Sequence, residues 1–161
     1  MVTAVCQPSR FATVRVVPHS VALGQQRALT VQLQNDAICV AIGVLPVSHP
    51  NLSDDMYVPG RSDSALFNGC SWYTFFGGRG YFYYGGKCRF TPVGFGSGDE
   101  VSAVVDRLIR NDYVNDNGVV RFLRNGKALE MEPLPVGFAE EAVLVVSFGI
   151  EGGSAKVVCF E

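Results

Sequence analysis

Gly118-Val-Val-Arg-Phe-Leu-Arg-Asn-Gly-Lys-Ala-Leu129 is the stretch from which the fold is read. Apolar and polar residues alternate up to Arg124, the period of a strand with one face turned to a core. Asn125-Gly126 then supplies the positive φ angles that a tight type I′ turn requires. A two-residue hairpin follows, with Val120 and Phe122 facing inward and Leu129 a further candidate for that face.

Outward from this hairpin the same period of two recurs. Phe11–Val17, Leu29–Leu33, Val101–Val105 and Val143–Phe148 all read as strands. Ala37–Val44 is apolar on both faces, as expected of a strand in the middle of a packed sheet. Helical pattern is weak, confined to Val104–Arg110 and Phe138–Ala142, each too short to compete with the strands. No internal repeat or linker interrupts the chain. The longest expected loop runs from Pro46 to Phe67, a length associated with functional or mobile segments.

Composition agrees with an all-β chain. The 161 residues suit one domain, 1–161, able to bury roughly two-thirds of its unfolded surface. Eighteen glycines and eight prolines without a period fit many short strands and turns. The formal net charge of −2 argues against a chain built to neutralise phosphates, so no nucleic acid is expected as partner. Ten of the thirteen basic residues are arginines, scattered from Arg10 to Arg124 without a run, and they read as solvated surface.

Five cysteines (Cys6, Cys39, Cys70, Cys88 and Cys159) lack the close-pair spacing of zinc sites. No metal or cofactor is expected. Cys39 and Cys159 lie in apolar runs as small hydrophobes, and the odd number points to a reducing, intracellular and cytoplasmic setting. No apolar stretch approaches the ~20 residues of a membrane span. Residues 1–35 lack acids and carry Arg10, Arg15 and Arg27, a bias shared with mitochondrial presequences, but the strand-like Phe11–Val17 favours an ordered N-terminal strand.

The chemistry-bearing motifs are weak. Gly94, Gly96 and Gly98 would need a helix behind them to cradle phosphate, and a strand follows instead; the Gly77–Gly80 cluster also reads as a turn. Cys70 with His49 forms no recognised nucleophile motif. The acidic pairs Asp54-Asp55, Asp99-Glu100 and Glu140-Glu141 read as solvated turn residues. Trp72–Phe76 and Tyr81–Tyr84 offer either core or a stacking surface; alternation assigns Trp72 to the core and leaves Tyr73 and Tyr83 open.

In order along the chain, Val40–Val44 with its central Gly43, Ser71-Trp72-Tyr73, Tyr84-Gly85-Gly86-Lys87, Gly98–Val101 with Asp106, Val120–Lys127 and Val146–Gly149 resemble the signatures of a SPRY domain. The resemblance spans most of the chain. It implies a concanavalin-like bent sandwich of two antiparallel sheets, without enzymatic activity, that binds a peptide segment or protein partner through loops on one face. By position it points to Tyr57, Arg61 and Asp63 in the long loop and to Phe148 and Gly149 near the C-terminus as partner-binding residues. An adaptor or complex subunit is the expected role, with no effector module such as a RING finger in the chain. Two departures stand out. The preceding PRY segment is reduced at most to Phe11–Val17, and Arg107–Asn117 inserts an Asn/Asp-rich loop. Two rivals remain: a lectin-like sandwich, which needs Trp72 or Tyr83 exposed in a groove, and a hydrolase, which needs two carboxylates facing one cleft.

Overall fold

Alternation of apolar and polar residues produces strands throughout the computed structural model, which describes residues 3–5, 12–34, 40–48, 59–60, 69–74, 79–108, 117–148 and 154–161. One sheet runs β1 (Thr3–Val5), β13 (Ser154–Phe160), β3 (Gln26–Leu33), β8 (Glu100–Asp106), β9 (Val119–Arg124) and β10 (Lys127–Ala128), with β11 (Leu134–Pro135) also paired to β9. The other runs β2 (Ala12–Val21), β12 (Ala142–Phe148), β4 (Val40–Pro46), β5 (Cys70–Thr74), β6 (Gly80–Tyr84) and β7 (Lys87–Thr91). All pairings are antiparallel. The described residues contain no helix: of the weak helical patterns, Val104–Leu108 and Phe138–Ala142 are strand or irregular chain, and residues 109 and 110 lie outside the described residues.

The opening hairpin is as read. Arg124 pairs with Lys127 across Asn125-Gly126, whose φ angles of 51° and 79° are those of the type I′ turn. Val120 and Phe122 are buried, and Leu129 packs partly buried against the same core. Val101, Ala103 and Val105 of β8 stand beside them, and Leu29, Val31 and Leu33 of β3 complete this layer. The opposing layer supplies Val40, Ile42, Val44, Trp72, Phe82, Leu144 and Val146. Fully burying each large aliphatic or aromatic side chain contributes about 1.5–3 kcal/mol, which is what holds the two sheets face to face.

Trp72 sits at the centre of this interface with 0 % exposure. Its ring meets Phe95 edge-on at 4.6 Å between centroids, Phe122 of the opposite sheet at 6.0 Å and Phe82 at 6.3 Å. Its indole N–H donates to the Val93 carbonyl at 3.2 Å, so the one polar atom of the ring is satisfied. The core reading of Trp72 therefore holds.

β4 is buried along its whole length, as a central strand should be. Its second face joins Ala41 and Leu45 to Val143 and Val145 of β12 in a separate apolar cluster, against which Tyr81 and Tyr83 pack. Gly43 lets β5 lie close: a Cβ there would collide with the Cys70 carbonyl and with Ser71.

Arg107 corrects the reading of the arginines as solvated surface. Immediately after β8, it is 1 % exposed. Its Nε donates to the Asn117 carbonyl at 2.9 Å, Nη1 to those of Val21 at 2.8 Å and Glu140 at 2.7 Å, and Nη2 to that of Phe138 at 2.9 Å. The guanidinium also faces the Phe138 ring at 5.7 Å. Burial pulls its pKa below the ordinary guanidinium value and the nearby Glu141 carboxylate opposes this; the group stays a cation. It stands at the start of the Arg107–Asn117 segment, directly after β8. It closes the end of the sandwich by tying the end of β2, the approach to β12 and the approach to β9 to the end of β8. Arg107→Ala orphans these carbonyls and is expected to cost about 3 kcal/mol or more in urea denaturation. Arg121→Ala, at a side chain 43 % exposed and paired only loosely with Asp106 at 3.8 Å, is expected to cost less than about 1 kcal/mol.

Candidate binding surfaces

Of the residues singled out for partner binding, Tyr57, Arg61, Asp63 and Gly149 lie outside the described residues. Phe148 is described by its backbone, which ends β12 between Ala12 and Val40. His49, the Asp54-Asp55 pair, Cys6 and Cys39 also lie outside. Within the long loop the structure describes Pro46–Ser48 at its start and Pro59 and Gly60 further on, and the latter two are tied to the sheet. The Ser71 hydroxyl donates to the Pro59 carbonyl at 2.7 Å, and the Gly86 N–H donates to the Gly60 carbonyl at 3.0 Å. Gly60 has a φ of 84° and lies so close to the Gly69 and Tyr83 carbonyls that no Cβ fits. The loop is thereby fastened beside the turn that joins β6 to β7.

That turn, Gly85-Gly86, has φ angles of 54° and 78° and forms a second tight hairpin. Past its β7 arm opens a cleft of about 380 Å³ between Thr91-Pro92-Val93 on one wall and Arg124 with Lys127–Met131 on the other, with Phe82 at its floor. Its size is within the range of small-ligand and side-chain pockets. Leu129, Met131 and Val93 line it with apolar surface backed by the core. Arg124, Lys127 and Glu130 put two positive charges and one negative at the same wall. Sequence reading missed this cleft because its walls come from segments some thirty residues apart with no shared motif.

The cleft's far wall is held by one carboxylate. Asp99 accepts from the Gly96 N–H at 2.8 Å, the Asn125 side-chain amide at 3.0 Å and Arg124 at 3.1 Å. Asn125 also accepts from the Glu100 N–H at 2.9 Å, so the turn residue of one hairpin is locked to the start of β8. The Gly94–Gly98 series is the turn leading into that strand, as its spacing implied.

Nucleophilic and sugar-stacking chemistry find no support in the described residues. Cys70 is fully buried, and burial pushes its thiol far above the ordinary range, which disfavours the thiolate that a nucleophile needs. Trp72, the first candidate for a sugar platform, is core; Tyr83 lies half-buried over the outer cluster beside Tyr81. Asp99 is engaged by Asn125, Gly96 and Arg124, and Glu130 is the one acid lining the cleft. No three His, Cys, Asp or Glu side chains among the described residues gather at metal-binding spacing.

Comparison with solved structures decides the fold. A human SPRY domain superimposes with a TM-score of 0.63 at 15 % identity, covering 96 % of this chain and 89 % of its own. The SPRY domain of human HERC1 gives 0.64 at 18 % identity, over 96 % and 86 %. The fold is SPRY-like. A homodimeric agglutinin from chicken liver aligns at 0.46 and 14 % identity over 94 % and 98 %, too distant to carry an argument about ligands. No protein-family model matches the chain, and no curated protein matches it by sequence. The concanavalin-like sandwich of two antiparallel sheets is thus as expected.

In this SPRY-like sandwich the state of Asp99 sets how the cleft wall responds to acid. Burial alone raises its pKa, but the Asn125 and Gly96 hydrogen bonds and the Arg124 charge outweigh it, leaving the carboxyl below the ordinary carboxylate value. A group with a lowered folded pKa contributes stability above its unfolded pKa, near 3.9, and loses it as pH falls through the lower folded value. The stability difference between wild type and Asp99→Asn is expected to stay constant from neutral pH to about pH 5 and to shrink progressively below about pH 4. Urea denaturation of both proteins across that range checks this.

Proposed function

We propose that the chain is a protein-interaction module that captures a peptide segment or protein partner through surface loops, as an adaptor or subunit of a larger assembly, without catalysis of its own. The observation that carries this reading is the SPRY-like scaffold with an apolar-floored cleft at one edge, near the fastened Pro59 and Gly60. A sandwich whose strands are fixed by a continuous core lowers the cost of binding, because only side chains and loop segments are ordered on contact. Tyr57 and Phe148 are the proposed anchors, Arg61 and Asp63 the proposed ion-pairing groups, and Gly149 is a further proposed contact. Pro59 and Gly60, held by Ser71 and Gly86, support the loop that carries Tyr57, Arg61 and Asp63. An intracellular partner is part of the same proposal.

Affinity purification of the tagged chain, followed by quantitative mass spectrometry, tests it. Wild type is expected to recover a protein depleted by about tenfold or more in Tyr57→Ala/Phe148→Ala, the loss of about 1.4 kcal/mol or more typical of anchor truncation. Equal recovery by both proteins, with both folded, removes these residues from the interface. Recovery of no protein above background overturns the module reading.

A further inference from the structure

β7 is the outermost described strand of its sheet, and its residues Lys87, Cys88, Arg89 and Phe90 are all exposed. Its hydrogen-bonding phase follows from the turn. In a two-residue hairpin the flanking residues, here Tyr84 and Lys87, form a hydrogen-bonded pair, and bonded pairs then alternate. Phe82–Arg89 and Gly80–Thr91 are therefore bonded, while Tyr83–Cys88 and Tyr81–Phe90 are not. Cys88 and Phe90 turn their N–H and C=O groups away from β6, to the side on which no described strand pairs.

The side chains of the strand divide in the same register. Cys88 and Phe90 lie on the outer face with Tyr81 and Tyr83; Phe90 is 55 % exposed and meets Tyr81 edge-on at 5.7 Å. Lys87 and Arg89 lie on the inner face, where Arg89 stacks over Tyr84 at 5.8 Å and Thr91 leads into the cleft. From residue 64 to residue 98 the chain has no Asp or Glu, but has Arg79, Lys87 and Arg89. A second copy would set one basic edge against another, which disfavours self-pairing. An acidic partner strand meets no such repulsion.

We infer that the free edge of β7 accepts an extended segment of a partner protein as an additional antiparallel strand, recognised by acidic residues opposite Lys87 and Arg89. Residues opposite Cys88 and Phe90 are apolar and cover the exposed Phe90 ring, and the residue opposite Thr91 is apolar and enters the 380 Å³ cleft over Leu129 and Met131. Main-chain bonds to Cys88 and Phe90 supply affinity, and the alternating side chains supply selectivity. Read from its N-terminus, the segment is apolar, apolar, acidic, apolar, acidic. This surface is distinct from the long-loop anchors, although the inference rests on the interaction-module reading.

The test uses the full chain, isotope-labelled for NMR, titrated with a synthetic peptide, acetyl-Ser-Leu-Val-Glu-Val-Asp-Ser-amide. Amide shifts are expected along Lys87–Thr91 and at Leu129 and Met131. Cys88→Pro removes one outward N–H but no bond to β6, and is expected to weaken binding by about tenfold or more, whereas Cys88→Ser changes it by less than about twofold. Peptide N-methylated at the edge-facing amides, or with Lys in place of both acids, is expected to lose about tenfold or more as well, and needs no change to the protein. Shifts confined to the surroundings of Gly60, or affinity unaffected by both Cys88→Pro and N-methylation, overturn edge addition and leave the module intact. A cellular partner retained equally by Cys88→Pro, with no peptide binding, does the same. No partner of either kind overturns the underlying reading with it.

Discussion

The sandwich depends on one indole. Trp72 reaches from the middle strand of one sheet to Phe122 of the other, and its N–H holds Val93, the residue that begins the return between the sheets. Any smaller side chain leaves a void among three phenylalanines, and any displacement frees a buried carbonyl. Gly80 lies directly against the ring nitrogen, so the second hairpin is registered by the same contact. Phe82 then packs beside Trp72 and continues as the floor of the cleft. The position of the cleft is thus a property of the core, and not of the loops around it.

Two tight hairpins border that cleft, and each is anchored at its tip to a neighbouring segment. Asn125 reaches Asp99 and Glu100; Gly86 reaches Gly60. Tips held in this way move together with the strands beneath them, which keeps the walls at fixed separation. The interaction reading relies on this rigidity, since a partner met by preformed walls loses less of its binding energy to ordering the receptor. Apolar surface backed by the core, open backbone on one side and basic side chains above it give the surface a chemical direction as well as a shape.

Much of the architecture was legible because period-two alternation and the Asn125-Gly126 doublet are local signals. The strands at Phe11–Val17, Leu29–Leu33, Ala37–Val44, Val101–Val105 and Val143–Phe148 and the Gly118–Leu129 hairpin followed from them, with ends differing by a few residues where neighbours extended the ladder, as where Leu29–Leu33 became Gln26–Leu33, whereas β7 and β13 were not read as strands. Short strands such as β1 and β11 carried no pattern of their own and exist through their partners, β13 and β9. Arg107 could not be read at all. Its role arises from four carbonyls contributed by residues 21, 117, 138 and 140, and nothing in a scattered arginine announces that meeting. The cleft was invisible for the same reason, whereas the loop positions assigned by resemblance fall outside the described residues.

The bond from Arg107 to Asn117 has a consequence for how such a chain can change over evolutionary time. The two residues bracket the stretch 109–116, and their contact fixes the distance its ends must span whatever that stretch contains. Lengthening a closed loop twofold adds only about 0.6 kcal/mol of entropy. The bond therefore holds the ends of β8 and β9 at one separation for a short or a long intervening sequence, and the entropy of closure sets little limit on the length that evolution can place there.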